Sequence, residues 1–134
     1  MSAAKTPRPT YRNIHVSDLL HYRLPLPGIV SILHRISGVL IFILLGVLLG
    51  LLHRSLASEA GFAQVRAAFA HPLAKLFFIV VLWAYLHHFF AGLRYLWLDV
   101  NSAAMQLDRA RRSSIVVLTL SIALTLLMAI RLWW

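Results

Sequence analysis

The sequence predicts an all-α integral membrane protein with three transmembrane helices, and three observations carry that reading. Apolar residues make up 60% of the 134-residue chain and charged residues only 13%, about half the ~25% usual in soluble domains. Mean hydropathy is +0.79. Three apolar runs take up most of the length, each near the ~20 residues that cross a hydrocarbon core. A chain of this kind is read as a single membrane unit over residues 1–134, so chemistry on a water-soluble substrate falls to a partner.

The formal charge of +9 does not point to nucleic acid, because the basic residues lie beside the apolar runs and form no solvated, aromatic-interleaved patch. Membrane topology accounts for them. The chain has no cysteine, which excludes disulfides, thiolate-held iron–sulfur clusters and covalently attached c-type haem within it. If such a chain handles electrons, it does so with a histidine-held haem or a quinone.

Residues 1–28 form a polar arm carrying Lys5, Arg8, Arg12 and Arg23, and they end in Leu24-Pro25-Leu26-Pro27-Gly28. The prolines favour an extended approach to the membrane. The arm has neither the apolar h-region and cleavage site of a secretory signal nor the length and serine content of a transit peptide. It is expected to stay on the mature protein.

The first span is expected over about 29–52, where no charged residue occurs between Arg35 and Arg54. Gly38, Gly46 and Gly50 allow close helix approach, the last two at small-x-x-x-small spacing. A mixed loop from His53 to His71 follows, with a short amphipathic helix over Phe62 to Phe69. Pro72 opens the second span, about 72–98, since its missing N–H costs nothing in a first helical turn. Asp99 to Arg112 reads as a polar connection, and about 113–134 as the third span, closed by Trp133 and Trp134 at an interface.

Lys5, Arg8, Arg12, Arg23 and Arg35 precede or open the first span, and Arg94, Arg109, Arg111 and Arg112 flank the second loop, against Arg54, Arg66 and Lys75 between spans one and two. The positive-inside rule therefore places the N-terminus and the second loop in the cytoplasm or matrix. The C-terminus then faces out.

The chemistry concentrates in two stretches. In the second span, His88, Gly92, Tyr95 and Asp99 share one helical stripe, so a residue without a side chain sits one turn from an imidazole. That spacing makes room for a flat group held by the imidazole, though a helix–helix hydrogen bond would also account for a membrane histidine. His87 points ~100° away and reads as a packing or hydrogen-bonding residue. Arg94 and Asp99 read as boundary charges, and Phe89, Phe90 and Trp97 as lipid-facing or packing aromatics.

The other stretch is Ser31-Ile32-Leu33-His34-Arg35-Ile36-Ser37-Gly38. Ser31 and Arg35 share a face, and a hydroxyl beside a guanidinium suits the carbonyl oxygen of a quinone and the negative charge that reduction brings to it. Arg35 alone also reads as a snorkelling interfacial arginine. Counted from Gly28 and Asp99 at ~1.5 Å per residue, His34 lies several ångströms nearer the surface than His88. On that estimate the two do not face each other as opposite axial ligands.

The pairing of these motifs, with Arg8-Pro9 in the arm and His88-x-x-x-Gly92-x-Arg94 followed by Asp99, resembles the cytochrome b membrane-anchor subunit of succinate dehydrogenase, respiratory complex II. The likeness covers nearly the whole chain and is to the larger, C-type anchor. It implies three transmembrane helices packed with a second anchor subunit into a bundle, and a b-type haem shared between them. By position, His88 matches the family's axial ligand to the haem iron, while Ser31 and Arg35 match its quinone-site residues. His34 matches the histidine near the haem propionates, with Arg35 close by. The family pattern commonly continues Gly-x-Arg-His, whereas this chain has Tyr95, whose hydroxyl can bond a propionate but carries no positive charge.

The resemblance further implies that a flavoprotein and an iron–sulfur subunit oxidise succinate and deliver electrons to quinone at this anchor. The arm favours a bacterial inner membrane, N-terminus cytoplasmic, over a mitochondrial one. Two rivals remain open at this point. One is a haem-free or fumarate-reductase-type anchor, and the other a non-redox three-helix scaffold in which His88 bridges helices.

Overall fold

The computed structural model describes Ser17 and residues 21–133, with Leu132 and Trp133 as backbone alone. Lys5, Arg8, Pro9, Arg12, His15 and Trp134 lie outside the described residues. Four helices account for most of what is described: α1 (Leu26–Ala57), α2 (Glu59–Ala70), α3 (Pro72–Val100) and α4 (Leu107–Trp133). A single 3-10 turn, Ser102–Met105, joins the last two. α1, α3 and α4 are each long and apolar enough to cross a membrane.

Each helix outruns the apolar stretch that announces it. α1 starts at Leu26 because Pro25 is extended (φ −66°, ψ 152°) and its carbonyl accepts from Gly28 and Ile29 at 2.8 and 3.1 Å. The extended approach thus ends at Pro25, and Pro27 sits inside the first turn, where no N–H is needed. At the far end α1 continues through His53 and Arg54 to Ala57, so the expected loop from His53 to His71 is almost wholly helical. Ser58 turns the chain and caps α2, its Oγ accepting from Gly61 N at 3.0 Å. Arg54 clasps α2 by donating twice to Gln64 Oε1, at 3.1 and 2.5 Å.

His71 caps α3 in the same way, Nδ1 accepting from Leu73 N at 3.2 Å, and Pro72 takes the first helical position. The expected polar connection from Asp99 to Arg112 is also mostly helix. α4 begins at Leu107, with Asp108 in its first turn, where the helix dipole favours a carboxylate.

The bundle is sewn together by small residues. α3 packs against both α1 and α4, and its buried positions are Val81, Ala84, His87, Ala91, Arg94 and Leu98. Opposite them lie buried Val30 and Ser37 on α1 and Ala110, Ser114, Val117, Ser121 and Thr125 on α4. Small side chains let backbones approach where lipid supplies no hydrophobic drive for helix pairing. Large apolar residues point outward instead; Phe42 is 78% exposed, and Val47, Leu49 and Leu126 are exposed with it. Such a surface suits lipid or another apolar helix. Gly46 and Gly50 have open space where a Cβ would stand, so none of the described helices uses that spacing.

Candidate functional site

His88 leaves α3 beside the buried stripe rather than on it, and its ring lies against α1. What makes room is Gly38: a Cβ there would sit 2.8 Å from His88 Cε1 and 3.1 Å from Nδ1. Any larger residue would have to displace the imidazole. The ring then finds an acceptor on the same helix, since His88 Nδ1 is 3.1 Å from the His34 carbonyl oxygen. A carbonyl oxygen can only accept, so Nδ1 carries the proton and Nε2 holds the lone pair. Nε2 has no hydrogen-bond partner among the described residues.

The His34 ring stacks on that of His88, centroids 4.2 Å apart and planes inclined by 13°. Gly38, one turn beyond His34 on α1, faces the His88 ring, and Gly92, one turn beyond His88 on α3, faces the His34 ring. Stacked rings still do not turn their nitrogens toward each other across a gap, so the pair does not form two opposite ligands.

Together His34 and His88 line a cavity of about 530 Å³ with Phe89, Gly92, Leu93, Tyr95 and Leu96. Its size is within the ~300–1,000 Å³ of ligand pockets. The absent side chain of Gly92 leaves space beside His34, whose Cε1 would be 3.7 Å from a Cβ there. Two buried polar atoms at this cavity, His34 Nδ1 and Tyr95 Oη, lack hydrogen-bond partners among the described residues. Each such atom costs ~1–3 kcal/mol when nothing satisfies it. The His34 and Tyr95 rings neighbour each other, their centroids 5.3 Å apart.

Ser31 and Arg35 are not brought into this cavity. Ser31 is half-buried and Arg35 exposed on α1, where Arg35 borders a separate groove of about 330 Å³ with Ile36, Val39, Leu40 and Ile43. One turn of helix thus presents two faces, His34 toward His88 and Arg35 toward the outward groove. Asp99 is exposed and lines neither.

The neighbouring histidine behaves differently. His87 is fully buried between helices, its ring stacked on Trp83 (5.4 Å, 23°) and its Nδ1 3.5 Å from Ser121 Oγ. This is the packing role expected of it. Arg94, expected as a boundary charge, is instead 7% exposed, donating from Nε to Ser113 Oγ at 2.9 Å and from Nη2 to the Ala110 carbonyl at 3.3 Å. It shares the His87 and Ala91 face, which is the face that packs.

Residues 8–128 match the succinate dehydrogenase/fumarate reductase transmembrane subunit family. The chain belongs to this family. Among curated relatives, the succinate dehydrogenase cytochrome b556 subunit of Coxiella burnetii (strain RSA 493 / Nine Mile phase I) is 38% identical over 85 residues, covering 63% of this chain and 68% of that protein. The resemblance to a succinate dehydrogenase cytochrome b anchor therefore stands, and the three long helices agree with it.

Residue-level reading of the sequence missed two contributors to this family member's site. Ser37 and Gly38 lie in the quoted motif, but nothing in their spacing to His88, fifty residues away, reveals that they meet it. The one available signal was Gly38 itself, a glycine one turn from His34.

Proposed function

We propose that this chain anchors a succinate dehydrogenase in a bacterial inner membrane. In this reading it binds b-type haem together with a second anchor subunit and forms part of the site where quinone is reduced. The observation that carries it is the hydrogen bond from His88 Nδ1 to the His34 carbonyl, which leaves Nε2 unprotonated beside a cavity. Iron-ligating imidazoles are characteristically held this way by their other nitrogen.

The residues fit the group. His88 would hold the iron through Nε2, with Gly38 and Gly92 keeping the ring and the adjoining space free. His34 Nδ1 and Tyr95 Oη, unsatisfied as they stand, bond the carboxylates of the propionates. Bound haem would supply one-electron chemistry, and since His88 is the single ligand proposed from this chain, any further ligand would come from the partner anchor.

Arg35 borders the other groove, and Ser31, one turn before it on α1, serves the quinone with it. The Ser31 hydroxyl donates to a carbonyl oxygen while the Arg35 guanidinium balances the charge gained on reduction. Ile36, Val39, Leu40 and Ile43 give the ring and tail an apolar wall. Succinate oxidation belongs to a flavoprotein, with electrons arriving through an iron–sulfur subunit docked at the basic, cytoplasmic end.

In the intact complex, Ser31→Ala and Arg35→Leu should each lower quinone reduction about tenfold or more, since hydrogen bonds to charged groups are worth roughly 1.5–3 kcal/mol. Succinate oxidation by a soluble dye should stay near wild type. Equal loss of both activities would instead make these residues assembly determinants.

A further inference from the structure

We propose that Ser37 tunes the imidazole of His88, and through it the potential of a haem held there, by competing with His88 for the His34 carbonyl. The inference rests on the reading of His88 as iron ligand. Ser37 is fully buried, and its Oγ donates to the His34 carbonyl at 2.9 Å, the back-bond that buried helix serines make. Here that oxygen has a second caller, because His88 Nδ1 donates to it at 3.1 Å from the neighbouring helix. Ser37 Oγ and His88 Nδ1 are 3.5 Å apart, the outer limit of a hydrogen bond between them, and each lies closer to the shared carbonyl.

A carbonyl oxygen has two lone pairs, and within α1 the His34 carbonyl also faces its helical N–H. Three donors on one oxygen weaken one another. The Ser37 hydroxyl therefore leaves His88 Nδ1–H a depleted acceptor, so the imidazole keeps its proton closely and gives less electron density through Nε2. Without the hydroxyl, the Nδ1–H bond strengthens, the ring becomes electron-richer and the oxidised iron is favoured. Ser37 is thus a positioning and tuning residue that touches neither iron nor quinone.

The test is a redox titration of haem in the intact, detergent-purified complex, with haem content and optical spectra recorded for wild type, Ser37→Ala, Ser37→Cys and His88→Leu. Ser37→Ala should raise the oxidised-to-reduced ratio at fixed ambient potential roughly threefold, a downward shift of about 28 mV at 59 mV per tenfold. Haem content should not change. Ser37→Cys, with a thiol that donates weakly and fits nearly the same space, should fall between. An unchanged or raised potential in Ser37→Ala, while His88→Leu loses its native ligation spectrum, overturns the inference and leaves the ligand assignment intact. A wild-type ligation spectrum in His88→Leu overturns both.

Discussion

Gly38 is the residue at which the site tolerates least change. An added methyl would stand 2.8 Å from His88 Cε1, a contact that real Cβ atoms essentially never make, so the ring must move. Over-packing of this sort costs typically ~1–3 kcal/mol, and movement also breaks the Nδ1 bond to the His34 carbonyl. Gly38→Ala is accordingly expected to lower the haem-to-protein ratio of the purified complex, whereas Gly46→Ala, with open space around it, should leave the ratio unchanged. Equal ratios in both variants would remove Gly38 from the site. At this scale the parting of His87 and His88 was legible from helical spacing, one buried beside Ser121 and the other set against Gly38. Partnership across helices was not legible: Ser37 meets His88 and Arg94 meets Ser113 on a neighbouring helix, which spacing along one helix does not encode.

Among the elements, α4 is held to α3 by polar contacts as well as by small-residue packing. Arg94 is the centre of that contact, reaching Ser113 Oγ and the Ala110 carbonyl near the start of α4. In a site 7% exposed these charge-assisted bonds matter, and Arg94→Leu should destabilise the complex by about 2–4 kcal/mol, read as a lowered unfolding midpoint in detergent. Arg94→Lys should recover part of the loss, because an ammonium cannot reproduce the planar fork. A midpoint unchanged in both would make the contact incidental. Hydropathy found the three long helices but not their ends. It registers the stretch that suits hydrocarbon, whereas a helix continues into polar surroundings wherever its backbone bonds are met, as at His53 to Ala57 and Leu107 to Arg112. Counting from helix ends also cannot reveal which side chains meet across two helices, and here Gly38 meets the His88 imidazole.

For the whole molecule, the inverted arrangement of small residues inside and large apolar residues outside is what membrane insertion and a partner anchor require. Orientation can be read directly because the chain has no cysteine of its own. With Ser102→Cys and Ala60→Cys in intact cells, a membrane-impermeant maleimide should label the exposed position between α1 and α3 and spare the one between α3 and α4. The reverse pattern would invert the proposed topology. The central claim, that this chain is a haem-bearing anchor with His88 on the iron, is tested most directly by one comparison. Reduced-minus-oxidised visible spectra of the intact complex, wild type beside His88→Leu, should give a b-type haem signal that is lost or altered in ligation in the variant. A wild-type complex without that signal, or a variant spectrum identical to wild type, would contradict it.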